Sequence, residues 1–357
     1  MKTPLVALDV RTIGKDQTGD TTYWTGLVRG LSRLDSEVRY LLFSNAPRPP
    51  EIPESDRFQW VELHSHRERW WSLFRFPLVA KRMGARAFHV QYNLSPLISH
   101  GGITTIHDVS FYHNAEWFRP QDRLVLQRFV PASARRADRV LTVSEFSRRE
   151  INRYISGVSD KVVVVPNACS EQVHQVADPT PVLKELGING PYVLTVGTRW
   201  PRKNLQTVVD AVERLPGSLP HKLVVTGKPG WDEGAPGKRT LQTGFVSQEQ
   251  LCALYSAADL YLAPSHYEGF GITLLEAFTC GCPVLASANG AHEEVAGEAA
   301  AFVPPSQGGA WTSAMEGLLN DPTRRSNLRE LGSERAKMFN WDKSATMIEQ
   351  VYREVAR

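Results

Sequence analysis

The chain of 357 residues is poor in cysteine, in long apolar runs and in net charge. Its four cysteines are too few and too irregularly spaced for a disulfide framework or a zinc site. Cys280-Gly281-Cys282 is interpreted as small residues in a tight helix-to-strand turn, not as a redox pair. No stretch approaches the ~18 consecutive apolar residues of a membrane-spanning helix. The formal net charge of +3 gives no overall sign of nucleic-acid binding.

Several catalytic and nucleotide-binding motifs are also missing. There is no Gly-x-x-x-x-Gly-Lys-Ser/Thr and no Gly-x-Gly-x-x-Gly, which excludes the P-loop and dinucleotide fingerprints. Gly-x-Ser-x-Gly is absent, so no serine nucleophile of the α/β-hydrolase type is indicated. The first nine residues are typical of a buried strand. Their apolar run is too short for a signal peptide, since it already ends at the acidic Asp9. We therefore expect a cytoplasmic protein.

What the sequence does contain is a regular alternation of short β-branched runs with helical patterns. This alternation is the signature of βαβ units, and continuous apolar strands indicate parallel sheets covered on both faces. The pattern occurs twice, on either side of a stretch without periodicity from Cys169 to Pro181. The sequence thus predicts an α/β protein of two Rossmann-like domains, residues 1–175 and 176–341, facing across a cleft. The last helix, about 342–357, is expected to return to the first domain.

The predicted elements are short and evenly distributed. Strands are expected at 4–9, 38–43, 58–62, 86–91, 103–107, 139–143, 161–165, 192–197, 222–226, 240–244, 259–263, 283–287 and 300–303. Helices are expected at 20–34, 70–83, 120–137, 145–155, 248–258, 308–320, 323–338 and 342–356, with another starting near Gly271. Ser144 is predicted as an N-cap, and Ser247 with Gln250 as a capping box.

The segment 264–278 carries the strongest chemical signal. Glu268 and Glu276 flank a Gly-Phe-Gly turn, Gly269 to Gly271, that leads into an apolar helix. Unpaired amides at a helix N-terminus favour anions and hydroxyl groups, and a carboxylate suits paired sugar hydroxyls. One alternative is the carboxylate pair of a glycoside hydrolase, which requires ~5–9.5 Å between the two groups. Another is an ordinary strand-to-helix turn with exposed acids.

Two further loops follow predicted strands. The loop from Gly197 to Asn204 leads from a strand to a helix, with Asn204 as the expected N-cap. It holds Arg199, Arg202 and Lys203, cations that can neutralise a leaving diphosphate or simply be solvated. His107 and Asp108 lie at the carboxyl end of the strand 103–107, where both are expected to point into the cleft between the domains. The alternative is a structural role, which is more common for a single histidine.

The loop from Gly14 to Gly19 follows the first strand, and its amides are candidates for a phosphate contact.

Taken together, these segments resemble the retaining glycosyltransferases of family four, the group-one glycosyltransferases with the GT-B fold. Glu268 and Glu276 match the family's E-x7-E pair, in order and spacing that agree over most of the chain. Other matching segments are Thr142 to Ser147, Val165-Pro166-Asn167, Glu276 to Val284 and Pro201-Arg202-Lys203-Asn204-Leu205. The last of these is similar to the bacterial mannosyltransferase-like branch that decorates surface polysaccharides.

The resemblance implies a role for each matching residue. Lys203 and Arg202 would hold the donor diphosphate, and Glu276 the ribose hydroxyls. Glu268 and the amides of the glycine turn, through Phe270 to Ile272, would hold the transferred sugar, with His107 beside it. Neither a cofactor nor a metal is expected.

Three places depart from the family pattern. Ala168-Cys169 follows Pro166-Asn167, where many relatives have glycine. Thr198 stands where relatives often have arginine, which leaves either Arg199 or Arg202 as the second phosphate contact. The loop 11–24 also differs, so the phosphate role of Gly19 and the acceptor class stay open.

The resemblance implies a hexosyltransferase, with mannose from GDP-mannose and a glycan or lipid-linked glycan as substrates. Two alternatives stay open: a UDP-sugar donor with the same fold, and a non-catalytic nucleotide-sugar-binding scaffold. Residues 67–83 mix cations with aromatics. They are typical of a core-facing helix broken before Pro77, or of a surface with weak peripheral membrane contact at most. The sequence does not indicate an oligomeric state.

Overall fold

The computed structural model describes residues 3–14, 19–50, 52, 55–65, 70–230 and 237–357. The chain forms two compact units, Met1–Ala168 with Asn340–Arg357, and Cys169–Phe339. The boundary between the units therefore lies after Ala168, seven residues before the predicted boundary after residue 175.

The first unit contains a parallel seven-stranded sheet in the order β3-β2-β1-β4-β5-β6-β7. Its strands are β1 Leu5–Asp9, β2 Arg39–Ser44, β3 Phe58–Glu62, β4 Ala87–Gln91, β5 Gly102–Thr105, β6 Arg139–Thr142 and β7 Val162–Val164. Its helices are α1 Gly19–Arg33, α2 Phe76–Arg82, α3 Pro120–Arg136, α4 Glu145–Tyr154 and the last helix, α12 Trp341–Val355. The predicted alternation of strands and helices is confirmed here. The bounds differ by one or two residues except at α2, which begins six residues later than predicted.

The last helix packs on α1 of the first unit. Gly26 and Gly30 lie so close to α12 that a Cβ at Gly26 would be 2.0 Å from Cε2 of Trp341. Deeper in the unit, the Tyr352 hydroxyl lies 2.6 Å from Nδ1 of the fully buried His89. Because the glycines remove side-chain volume at the crossing, the two helix backbones approach closely.

The helix expected at 70–83 is not broken before Pro77. A π-helical turn, Trp71–Arg75, precedes α2, and the amide of Phe76 donates to the carbonyl of Trp71, five residues earlier. Pro77 then falls in the first turn of α2, where its missing N–H donor does no harm. The first part of the segment, residues 67–69, lies outside the described residues.

The second unit contains a parallel six-stranded sheet in the order β10-β9-β8-β11-β12-β13. Its strands are β8 Tyr192–Val196, β9 Lys222–Thr226, β10 Thr240–Gly244, β11 Leu260–Ala263, β12 Val284–Ser287 and β13 Ala300–Val303. Its helices are α5 Thr180–Glu185, α6 Leu205–Glu213, α7 Gln248–Ala257, α8 Ile272–Thr279, α9 Ala291–Ala296, α10 Gly308–Leu319 and α11 Pro322–Lys337. The sequence analysis missed α5 and α9, which have only six residues each, and it gave no bounds for α6.

The predicted helix caps are confirmed. Ser144 accepts a hydrogen bond from the Ser147 amide, and Ser247 with Gln250 forms the predicted capping box. The Cys280-Gly281-Cys282 segment is a tight turn between α8 and β12, in which Gly281 has a φ of 71°. Among the described residues, no helix combines the length and the apolarity needed to cross a membrane.

Candidate functional site

The candidate site of the second unit lies where the strand order reverses. β9 and β10 lie on one side of β8, and β11 to β13 lie on the other, so β8 and β11 border the switch point. Ligands of open α/β sheets bind beyond the carboxyl ends of such strands. The loop after β8 carries Arg202 and Lys203, and the loop after β11 carries Glu268.

These three side chains form one ionic cluster. Oε1 of Glu268 lies 2.7 Å from Nζ of Lys203, and Oε2 lies 2.8 Å from Nη1 of Arg202. Glu268 is only 9% exposed, and both cations are partly buried. Each carboxylate oxygen therefore accepts a charge-assisted hydrogen bond from a different cation, with little screening by solvent.

The cluster determines the charge of Glu268. Burial alone would raise the pKa of this carboxyl, but the positive charges of Arg202 and Lys203 outweigh burial and hold the pKa far below its ordinary value. Glu268 is thus ionised at neutral pH, and it can only accept hydrogen bonds.

Hydrogen bonds to backbone carbonyls hold the two loops together. Arg202 donates to the carbonyl of Tyr267 at 2.7 Å, and the amide of His266 donates to the carbonyl of Arg202 at 2.9 Å. Asn204, which has a left-handed φ of 54°, donates through its amide to the carbonyls of Pro264 and Pro305 at 3.0 and 2.8 Å. The side chain of Asn204 therefore fixes the loops after β8, β11 and β13 relative to one another, which is a different role from the N-cap hydrogen bond expected from the sequence.

The glycine turn is closely packed. Gly271, at the N-cap of α8, has a φ of 90°, and a Cβ there would lie 2.8 Å from Cδ2 of the buried His292. Phe270 is buried in an edge-to-face contact with Phe339. Only glycine fits at position 271, for reasons of both conformation and space. Ile272 begins α8.

Glu276, in the second turn of α8, has a different environment from Glu268. Its Oε2 accepts a hydrogen bond from the hydroxyl of the buried Tyr255 at 3.2 Å. Burial raises the pKa of Glu276 to about 7, although the Tyr255 hydrogen bond acts in the opposite direction. The two acids of the segment thus differ in charge state near neutral pH, which the sequence alone does not reveal.

Arg199 lies apart from the ionic cluster. Its Nη1 donates to Oε1 of Gln242 on β10 at 3.0 Å. Of the two candidates for the second phosphate contact, Arg202 is the one that lies with Lys203 at Glu268.

His107 belongs to the first unit, two residues beyond the end of β5. The amide nitrogen of Gln91 lies 3.0 Å from its Nε2, and a carboxylate oxygen of Asp20 lies 3.6 Å from the same atom. The ring packs edge to face on Tyr23. Burial lowers the pKa of His107, while the neighbouring acids Asp20 and Asp108 oppose this effect. The imidazole is therefore neutral at pH 7.

The other residues expected at this sheet edge are only partly described. Gly19 is the first residue of α1, and residues 15–18 of the loop before it lie outside the described residues. Asp108 accepts hydrogen bonds from the amide and the hydroxyl of Ser110 at 2.8 and 2.6 Å, so it stabilises a local turn.

The structure adds residues that the sequence analysis did not single out. Tyr255 and His292 contact Glu276 and Gly271 in the second unit, while Gln91, Asp20 and Tyr23 surround His107 in the first. Tyr255 and Tyr23 look like ordinary helix core positions in sequence, and His292 has no local signal. These residues could be identified as site residues only once the fold was known.

Comparison with known proteins agrees with this architecture. Residues 18–172 match the family described as glycosyltransferase family 4, and residues 183–335 match the family described as glycosyl transferases group 1. O-antigen chain mannosyltransferase B of Escherichia coli is 33% identical over 267 residues, which cover 70% of this chain and 70% of that protein. The serotype-specific mannosyltransferase WbdA of Escherichia coli is 27% identical over 231 residues, or 60% of this chain but 28% of that protein.

The solved structures show the same fold. A sucrose-phosphate synthase from Thermosynechococcus elongatus superposes with a TM-score of 0.77 at 23% identity, over 99% of each chain. The chain therefore belongs to the group-1 glycosyltransferases of family 4 and has the GT-B fold.

Proposed function

We propose that the protein is a retaining hexosyltransferase that moves mannose from GDP-mannose to a glycan or lipid-linked glycan in surface polysaccharide biosynthesis. The names of its relatives O-antigen chain mannosyltransferase B and mannosyltransferase WbdA support the sugar and the pathway. The single observation that carries the proposal is the cluster of Arg202, Lys203 and Glu268 at the switch point of the second sheet.

The cluster combines the two charges that such a donor requires. A nucleotide-sugar has an anionic diphosphate next to a neutral, hydroxyl-rich sugar. Lys203 and Arg202 supply positive charge for the diphosphate, and the ionised Glu268 supplies two acceptor oxygens for sugar hydroxyls. Because all three side chains are already bonded to one another, little side-chain ordering remains for binding.

The glycine turn and Glu276 complete the donor site. We assign the amides from Gly269 to Ile272, at the start of α8, to the transferred sugar and its phosphate. Glu276 accepts hydrogen bonds from the ribose hydroxyls when it is ionised. Its link to Tyr255 holds one of its oxygens in place.

The reaction requires one bond exchange at the anomeric carbon. The bond from this carbon to the diphosphate oxygen breaks, and a bond to the acceptor oxygen forms on the same face. The acceptor proton passes to the departing phosphate, so no protein nucleophile takes part. Negative charge grows on the diphosphate as it leaves, and Lys203 and Arg202 stabilise it by pre-organised electrostatics. These two cations and the amides provide charge stabilisation without a metal.

His107 is assigned to the transferred sugar. Its neutral imidazole can donate or accept a hydrogen bond, whereas an imidazolium would repel a positively charged anomeric centre. The low pKa of His107, caused by burial, supports this assignment.

The test measures release of free mannose and GDP when GDP-mannose is incubated with the protein alone, and transfer when acceptor is added. We expect slow hydrolysis that is lost in Glu268→Ala and kept in Glu298→Ala, an exposed acid of the same unit. An α-linked product, seen by NMR, would support retention, because the donor is α-linked.

The alternatives have different outcomes in the same assay. Thermal unfolding with GDP-, UDP-, ADP- and dTDP-sugars identifies the base, since a ligand at a hundredfold excess over Kd stabilises by ~2.7 kcal/mol. Turnover of UDP-glucose in place of GDP-mannose would replace the proposed donor. Binding without any turnover, with or without acceptor, would indicate a scaffold and overturn the enzyme proposal.

A further inference from the structure

Gln91 is bonded to His107 across two neighbouring strands. β4 ends at Gln91 and pairs in parallel with β5, so that Gln91 lies opposite Thr105, and His107 follows two residues later. Residues two positions apart project on the same side of a sheet, so the two side chains can meet beyond the strand ends. The amide nitrogen of Gln91 lies 3.0 Å from Nε2 of His107. The proposed reaction uses His107 but gives Gln91 no part.

The direction of this hydrogen bond follows from the groups that form it. An amide nitrogen carries two hydrogens and can only donate, so Nε2 of His107 must accept. The imidazole is neutral, because burial lowers the pKa of His107. A neutral imidazole carries its single proton on the nitrogen that does not accept. His107 therefore bears its proton on Nδ1, the nitrogen that Gln91 does not occupy.

Two acids compete for the ring of His107. A carboxylate can only accept, so a hydrogen bond to Asp20 would require the proton on Nε2 instead. The carboxylate oxygen of Asp20 lies 3.6 Å from Nε2, which is beyond the range of a hydrogen bond, and its side chain is 46% exposed. The carboxylate of Asp108 is bonded to the amide and the hydroxyl of Ser110. Gln91 is closer than Asp20 to Nε2, so it decides which nitrogen is protonated.

The packing around His107 keeps the ring in this orientation. Tyr23 and Tyr92 lie against it, with ring centroids 5.0 and 5.8 Å away, and Ser147 donates to the His107 carbonyl at 3.0 Å. Tyr92 has a φ of 58°, a left-handed conformation that is strained for an aromatic residue. Such strain concentrates at functional sites. A half-turn of the imidazole, which would exchange its two nitrogens, is therefore opposed by its neighbours.

We propose that Gln91 is a positioning residue for the transfer reaction, which holds His107 as the Nδ1–H tautomer so that the ring presents a hydrogen-bond donor to an oxygen of the transferred sugar. This inference rests on the proposed assignment of His107 to that sugar. With the proton on Nε2, Nδ1 could only accept, and a sugar hydroxyl would have to turn its own proton towards the ring. Gln91 thus determines which kind of hydrogen bond His107 makes, although it acts only through His107.

The experiment locates the proton on His107 by proton–nitrogen correlation NMR of the full chain with isotope-labelled histidine. The chain has ten histidines, and His107→Gln identifies the signals of His107 by their loss. We expect the parent protein to carry this proton on Nδ1. Gln91→Glu should place a proton on Nε2, because a carboxylate only accepts. The matched control is Gln59→Glu, the same substitution at an exposed glutamine of β3 in the same sheet, which should leave the parent's tautomer.

Turnover is measured separately, with saturating GDP-mannose and acceptor. Gln91→Glu should lower kcat roughly 10- to 100-fold, the effect of one misdirected hydrogen bond to the transferred sugar. The Kd of GDP should stay within about twofold, because Gln91 and the cation cluster belong to different units. Gln91→Met, which removes the amide donor without adding an acceptor, should show both tautomers and a smaller loss. Gln59→Glu should keep the rate of the parent.

Several results would overturn the inference. One is a proton on Nε2 of His107 in the parent protein, a result that needs no variant and therefore holds even if Gln91→Glu does not fold. Another is a folded Gln91→Glu protein in which the tautomer and kcat do not change together. A protein that turns over no nucleotide-sugar would instead overturn the proposed function, while the spectra would still decide whether Gln91 sets the tautomer of His107.

Discussion

Lys203 Nζ lies 2.7 Å from Oε1 of Glu268, and Arg202 forms an ion pair with the other carboxylate oxygen. The two cations follow one strand and the acid follows its neighbour, so the fold brings them together over 65 residues of sequence. The contact keeps Glu268 charged, and Glu268 in turn makes the close approach of two cations tolerable.

Replacing Glu268 by Gln should lower kcat on the order of 100-fold or more, because a neutral amide neither balances the two cations nor accepts hydrogen bonds as strongly. Steady-state rates with GDP-mannose and acceptor provide the measurement. Glu298→Gln, an exposed acid of the same unit, is the control. Circular dichroism at the assay temperature shows whether the variant is folded, since unpaired buried charges destabilise. A folded Glu268→Gln protein with the parent's rate would refute the assignment.

Lys203→Ala should lower kcat on the order of 100-fold while the Kd of GDP-mannose changes less, because leaving-group charge is largest in the transition state. Combined with Glu268→Gln, the loss should be smaller than the product of the two single losses, since the residues act as a pair. Strict multiplicativity of the two effects would mean that the 2.7 Å contact has no part in the reaction.

His107→Ala should abolish most of the transfer and leave nucleotide affinity unchanged within about twofold, because His107 and the cation cluster belong to different units. Isothermal titration with GDP and the transfer assay separate the two quantities. A variant at Asp108, whose carboxylate bonds Ser110, is the matched control for damage to the loop. If His107→Ala weakened GDP binding as much as it weakened transfer, its role would be structural.

Parallel α/β sheets were readable from the sequence because their strands are short, apolar and separated by helical patterns. Most strand bounds agree within one or two residues, since burial on both faces leaves few polar residues to blur the pattern. The helices α5 and α9 were not predicted, because six residues are too few to show a helical periodicity. The π-turn before α2 was not predicted, because a proline such as Pro77 usually marks a helix end. Only the hydrogen bond from the Phe76 amide to the Trp71 carbonyl shows that the helix continues through a π-turn.

The candidate site was partly readable for a different reason. Sequence motifs identify Glu268, Glu276 and Lys203 as site residues, but the motifs do not show which groups surround each side chain. The two cations bonded to Glu268 lie 66 and 65 positions away in the chain, and the tyrosine bonded to Glu276 lies 21 positions away. That difference lowers the pKa of Glu268 and raises the pKa of Glu276.

Gly26→Ala should destabilise the first unit by about 1–3 kcal/mol, because the new Cβ would overlap the indole of Trp341. Urea unfolding followed by fluorescence measures the change. Gly309→Ala, in the helix α10 with no atom within 4 Å of the new Cβ, should instead stabilise slightly. Equal stabilities for Gly26→Ala and the parent would mean that α12 does not pack on α1 in solution.

Glu276 should give the protein opposite pH trends in donor binding and in stability. Burial raises its pKa from 4.5 to about 7, so the carboxyl loses its proton near neutrality. If only the ionised form accepts the ribose hydroxyls, GDP-mannose should bind about tenfold more tightly at pH 8 than at pH 6. In the unfolded chain the group ionises at its ordinary, lower pKa. The folded state therefore loses stability as pH rises from 4.5 towards 7, by up to about 3 kcal/mol, and stays lower above it.

Glu276→Gln separates the two trends, because the amide keeps the shape of the side chain and can still accept the Tyr255 hydroxyl. We expect this variant to bind GDP-mannose at least tenfold more weakly at pH 8 and to show no pH dependence between 6 and 8. Its melting temperature should exceed that of the parent at pH 8, and the difference should shrink at pH 5. Such a result would mean that donor binding is obtained at the expense of stability at this position. A parent-like pH profile in Glu276→Gln would place the titrating group elsewhere.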